Sequence, residues 1–187
     1  MTRKTETAPE SERPAWADPE PVIGFRVAGS SRELALPPVA VVHIGASHDC
    51  DVVVDSPHVS ALHAILERVN GRLRVRDAGS KNGTYIDGKR VTEGDVSDGS
   101  ILIIGTTPLV AFSARSARVR RQLQWWLGYG DEQQSRVDDA LRLVASDAHV
   151  VIVSPKGGEP DKLARAIHEA SPRAHGPFVK LEHRGIG

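Results

Sequence analysis

From Val22 onward, β-branched and other apolar residues come in short runs broken by Gly, Pro, Asn and Asp. This spacing predicts strands at 22–27, 33–36, 39–44, 51–54, 62–69, 72–77, 84–86, 101–104 and 108–113. The close succession of strands indicates an all-β sandwich rather than a βαβ array. Asn70-Gly71 and Asp87-Gly88 suit hairpin turns that need positive φ at their centre. Between Arg72 and Arg76, arginines alternate with Leu73 and Val75, so one face of that strand is buried and the other solvated.

After Ser113 the period changes. The segment ARSARVRRQLQWWLGYG reads as a helical connector with a basic start, and Trp125 and Trp126 are expected to pack the two parts of the chain together. In SRVDDALRLVA, Val137, Leu141 and Val144 share a helical face. HVVIV reads as a parallel strand covered on both faces, and DKLARAIHEAS as an amphipathic helix stopped by Pro172. The expected organisation is a disordered tail at 1–20, a sandwich domain at 21–114, a basic tryptophan-bearing linker at 115–134 and a partial α/β segment at 135–187.

The 187 residues carry 24 Lys and Arg against 24 Asp and Glu, which argues against a general nucleic-acid or membrane-surface binder. One cysteine, Cys50, excludes an internal disulfide framework. No apolar run approaches the ~20 residues that cross a bilayer, and the first residues have no signal-peptide core, so the expectation is a soluble, cytoplasmic protein. Residues 1–20 are charged and proline-bearing, and Thr2, Thr5 and Thr7 there are open to a kinase. His43, His48, Cys50, His58 and His63 do not match a standard zinc-ligand spacing, and no nucleophile motif is present. Binding rather than turnover is expected, with no metal and no cofactor.

Four separated motifs occur in a telling order: Gly45 between strands, Ser60-x-x-His63, Gly79-Ser80-x-Asn82-Gly83-Thr84, and Asp98-Gly99 before an apolar strand. In this the segment from Val22 to about Ser113 resembles the forkhead-associated (FHA) domain, a β-sandwich that binds phosphothreonine peptides. The resemblance implies that Ser60 donates to the phosphate, that Asn82 holds the peptide main chain, and that Lys81 adds a phosphate contact. It makes Gly45, His63, Gly83 and Thr84 structural supports. A nearly dianionic phosphate needs such a cluster of donors on a rigid frame.

Two departures from the family stand out. The arginine expected after the glycine is Ala46, and the cation often found after the serine is Ala61. Each missing charge-assisted bond is worth about 1.5–3 kcal/mol, or about ten- to a hundredfold in affinity. Ser47 and His48 are the compensating candidates, and a contribution from His48 would strengthen binding at acidic pH.

The stretch LARAIHEASPRAHGPFV is similar to the start of the AAA+ domain of bacterial sigma-54-dependent enhancer-binding activators. That register puts the phosphate loop on Ser154–Asp161, where Gly157 and Gly158 persist. Glu159 and Pro160 replace the terminal glycine and lysine. Proline offers neither an N–H nor a cation, and Glu159 repels an anion, so this loop is expected to be degenerate and not to bind nucleotide.

Three functions remain open on the sequence. The first is a phosphothreonine-peptide-binding signalling adaptor associated with transcription regulation. The second is a sigma-54 activator fragment of the AAA+ ATPase family, and the third an FHA module that binds independently of phosphorylation. The implied partners are a phosphothreonine-bearing substrate of a serine/threonine kinase and the sigma-54 machinery. No membrane partner and no direct DNA contact are expected.

Overall fold

The computed structural model describes residues 20–145, 149–154, 156–171, 173–174 and 176–180. Eleven strands form two packed sheets. The first contains, in spatial order, β2 (Glu33–Ala35), β1 (Val22–Val27), β11 (Thr107–Ser113), β10 (Ile101–Ile104), β7 (Thr84–Ile86) and β8 (Lys89–Val91). The second contains β4 (Val52–Val53), β3 (Val41–Gly45), β5 (Ala64–Val69), β6 (Arg72–Asp77) and β9 (Glu93–Val96). Only β3 and β4 run parallel. Phe25, Ile44, Leu66, Val75, Leu102 and Leu109 are buried where the sheets face each other. This is the mainly β sandwich the pattern predicts, of the FHA type the motif resemblance implies, followed by helices.

The hairpins form where expected. Asn70 and Gly71 have φ of 50° and 77°, and Asp87 and Gly88 have 49° and 79°, which are left-handed pairs matching the twist of the flanking strands. The outward arginines of β6 meet acidic neighbours: Arg74 and Arg72 face Asp95, and Arg76 faces Glu67. Two strands escape the sequence pattern. β8 and β9 lie at the margins of their sheets; two of the three residues of β8 and two of the four of β9 are exposed, and Val96 is the one buried apolar side chain they supply, so they carry little apolar signal.

The second half departs further from expectation. The segment expected as a helical connector at 115–134 holds most of α1 (Ala114–Leu127) and the start of α2 (Asp131–Ala145). Ser113 caps α1, accepting from the Ser116 amide while its hydroxyl donates to Asp98 at 2.7 Å. Val119, Leu123 and Val137, joined by Ala140, Leu141 and Leu163, form a small helical core that includes α3 (Pro160–Ala170). The tryptophans do not join the parts, since Trp125 is 75% exposed.

A polar cluster ties the two parts instead. Asp138 of α2 accepts from Arg26 of β1 and Arg120 of α1, and Gln134 accepts from Arg120, with all four side chains buried. Burial pushes the Arg26 guanidinium below its ordinary value, Arg120 adds to this, and Asp138 opposes both.

The expected buried strand at 149–153 is absent: residues 149–154 have no strand, and Val151 and Val153 are exposed. A parallel strand needs a partner, and the described residues offer none there. Among the described residues of 135–187 the regular elements are the rest of α2 and α3 (Pro160–Ala170), with no strand. The tail with Thr2, Thr5 and Thr7, and Pro172, lie outside the described residues. No helix among the described residues is long and apolar enough to cross a membrane.

Removing the shared anion leaves two buried guanidinium groups facing each other. Asp138→Ala should cost about 3–5 kcal/mol in urea unfolding. The exposed Arg118→Ala should stay within about 0.5 kcal/mol.

Candidate functional site

Three connections meet at one end of the sandwich: the β4–β5 loop, the β6–β7 loop and the β10–β11 turn. The fully buried His63 joins them. Its Nδ1 accepts from the Ser60 amide at 3.1 Å, which puts the ring proton on Nε2. Nε2–H then donates to the Gly83 carbonyl at 3.2 Å, with the Gly105 amide nitrogen 3.2 Å from the same ring nitrogen.

Asp77 organises the β6–β7 loop, and the sequence pattern does not single it out. Its Oδ2 accepts from the amides of Gly79 and Ser80, each at 3.0 Å. Its Oδ1 accepts from the hydroxyls of Ser80 and Thr84, each at 2.6 Å. Burial alone would raise this carboxyl. The bonds from Ser80 and Thr84 and from the two amides outweigh it and hold Asp77 below the usual carboxylate range. An aspartate two residues before a glycine at the end of a strand is the available sequence signal, since its side chain can bond the amides that follow.

These ties set out the donors. Ser60 Oγ accepts from the Lys81 amide at 3.1 Å, leaving its own hydroxyl proton to donate. Asn82 Nδ2 donates to the His58 carbonyl at 2.8 Å, which fixes the carboxamide and leaves its oxygen and second N–H available. The Lys81 ammonium is exposed, with no bonded partner among the described residues. Ser60, Lys81 and Asn82 are thus brought together at one rim.

The β3–β4 side is tightly laced. A Cβ on Gly45 would lie 2.1 Å from the Ala61 carbonyl oxygen, so only glycine fits there. The amides of Ala46 and Ser47 donate to the carbonyls of Ser60 and Ala61 at 2.9 and 3.0 Å. Ser47 Oγ is committed to Asp49 at 3.1 Å. His48 is exposed in the same turn and makes no hydrogen bond among the described residues. Cys50 Sγ donates to the Ala61 carbonyl at 3.2 Å, and burial, with Asp51 and Asp49 nearby, pushes its thiol up. The methyl of Ala46, where the family's arginine would stand, packs against the sandwich core.

The other histidines are dispersed. His43 pairs with Asp51 at 3.2 Å, while His58 and His48 are exposed on separate loops. Far from this end, Gly157 and Gly158 are exposed, Gly157 with φ of 88°. Glu159 caps α3 without a side-chain bond and pairs with Lys162, and Pro160 opens the helix. Ser154 lies before this turn, half-buried.

The FHA domain family model matches residues 42–105. The chain is 29% identical over 188 residues to the ABC transporter ATP-binding/permease protein Rv1747 of Mycobacterium tuberculosis, covering 86% of this chain and 21% of that protein. It is also 51% identical over 41 residues to limonene hydroxylase of Geobacillus stearothermophilus, covering 22% of this chain and 8% of that protein. It therefore spans about a fifth or less of the length of these relatives.

Among solved structures it resembles Mycobacterium tuberculosis EmbR in complex with a low-affinity phosphopeptide. The identity is 27%, the TM-score 0.46, and the likeness covers 49% of this chain and 24% of that one. It also resembles the Mycobacterium tuberculosis Rv1747 FHA-1 domain, at 31% identity and TM-score 0.41, covering 51% of this chain and 99% of that one.

Because the native Asp77 carboxyl titrates below its unfolded counterpart, its stabilising contribution is complete above the unfolded value. It is lost as pH falls through the native one. Acid unfolding followed by circular dichroism should show stability declining between about pH 5 and pH 2. Asp77→Asn should flatten that part of the curve.

Proposed function

We propose that the FHA domain at residues 42–105 reads phosphothreonine peptides as a signalling adaptor, with Ser60, Lys81 and Asn82 as the ligand-facing donors. The observation that carries this reading is the prearranged trio itself. A hydroxyl oriented by the Lys81 amide, a carboxamide oriented by the His58 carbonyl and the free Lys81 ammonium share one rim, on loops tied by His63 and Asp77. Donors fixed before the ligand arrives cost little ordering on binding, and a phosphate with three acceptor oxygens is the ligand that uses them together. Ser47 is engaged with Asp49 and compensates less directly than Lys81 does.

The affinity is weakened by Ala46. In this reading Asn82 aligns the peptide main chain while the Ser60 hydroxyl and the Lys81 ammonium meet the phosphate, and no bond is made or broken. A phosphorylated partner from a serine/threonine kinase pathway is the natural ligand class. The sigma-54 activator reading has less support, because Lys162 is tied to Glu159 and the Pro160 start of α3 removes the amide and cation a nucleotide phosphate needs.

Calorimetric titration of the full chain with a phosphothreonine peptide and its unphosphorylated twin tests the proposal. Binding should appear only with the phosphate. Ser60→Ala and Asn82→Ala should each weaken it about tenfold or more, with the sandwich still folded by circular dichroism and the midpoint lowered only by the loss of one loop hydrogen bond each. Equal binding of the two peptides would instead indicate a phosphorylation-independent module. Ala46→Arg should tighten binding about ten- to a hundredfold, provided the side chain leads out past the core that the alanine methyl now touches.

A further inference from the structure

The loss of arginine at position 46 leaves the β3–β4 side of the rim without a guanidinium, yet one stands on the opposite side. Arg90 belongs to β8, the marginal strand of its sheet, and pairs across the ladder with Tyr85. Its guanidinium does not stay level with Tyr85. A Cβ placed on Gly83 would lie 2.8 Å from Arg90 Nε and 3.2 Å from Nη2. The side chain therefore leans two residues along β7, toward the end of the sandwich that carries Lys81, Asn82 and Ser60. Gly83 is favoured there by its φ of 80°, and a side chain at that position would push the Arg90 guanidinium aside.

The charge of Arg90 is not spent elsewhere. Arg72, Arg74 and Arg76 face acidic neighbours, and Arg26 and Arg120 are buried on Asp138. Arg90 is exposed and has no hydrogen-bonding or ion-pair partner among the described residues. A planar guanidinium held against a loop backbone, with its N–H groups unengaged, is arranged to receive an oxyanion.

We propose that Arg90 is the guanidinium of this site and contacts an anionic group of the bound peptide. The inference rests on the phosphothreonine reading above. It adds that the β7–β8 hairpin supplies a guanidinium to the site, beside the ammonium of Lys81. Two sources supply the same oxyanion chemistry, the phosphate itself and an acidic residue flanking the phosphothreonine.

The test is calorimetry on the full chain with three peptides: phosphothreonine with neutral flanks, phosphothreonine with aspartate flanks, and the unphosphorylated form of the latter. Arg90→Gln keeps much of the packing against Gly83 but removes the charge, and Arg90→Lys keeps the charge. The parent should bind both phosphopeptides. Arg90→Gln should weaken binding about ten- to a hundredfold at an unchanged thermal midpoint, and Arg90→Lys should lose less.

Equal weakening of both phosphopeptides assigns the contact to the phosphate. Weakening of the aspartate-flanked peptide alone assigns it to the flank. If the parent binds and Arg90→Gln binds both peptides as well, Arg90 only packs on Gly83 and the inference is overturned by itself. Equal losses in the Lys and Gln variants would overturn it too. If the parent binds neither phosphopeptide, the functional reading fails and the inference fails with it.

Discussion

A single buried imidazole governs the geometry of the ligand-facing rim. His63 cannot be solvated where it sits, so its ring nitrogens must find partners among nearby backbone groups, and those belong to loops distant in sequence. Satisfying one ring therefore fixes the distance between the β4–β5 and β6–β7 loops. Asp77 works beside it, drawing four donors of its own loop onto one carboxylate. On loops held by these ties, the Ser60 hydroxyl is set by the Lys81 amide and the Asn82 carboxamide by the His58 carbonyl.

The helical half is attached so as to leave this rim free. α1 follows the last residue of β11, whereas the β10–β11 turn that contributes Gly105 lies at the opposite end of that strand. The helices are joined to β1 through the shared carboxylate of Asp138 and to one another through Val119, Leu123 and Val137. A buried cluster of two cations and one anion demands close placement, so it sets how the layers meet more than it adds to net stability.

The sandwich was legible because its strands obey a period of two and its tightest hairpins use Asn-Gly and Asp-Gly. β8 and β9 were not, since a marginal strand needs only one neighbour and buries little. The run at 149–153 shows the opposite failure: its apolar character suits a buried strand, but a strand exists only where another can pair with it, and pairing is not written in the run itself. Among the candidate site residues, the family resemblance named Ser60, His63, Lys81, Asn82 and Gly83, and hydrogen bonds in the structure link Ser60 to His63 and Lys81, and His63 to Gly83. Asp77 was missed because a strand-ending aspartate looks like a solvated one until its donors are seen. Arg90 was missed because its reach toward Gly83 is a matter of side-chain direction. The cluster of Arg26, Arg120 and Asp138 joins residues too far apart in the chain for any local pattern to connect.

The central claim is that one end of the sandwich holds a phosphate site assembled before its ligand arrives. The most direct measurement is an NMR titration of the labelled chain with a phosphothreonine peptide, following backbone and side-chain amides. The account predicts saturable shifts concentrated at Ser60, Lys81, Gly83 and the Asn82 carboxamide, with the residues of α1, α2 and α3 unmoved. Shifts confined to the helical layer, or none at all with the phosphopeptide in excess, would contradict it.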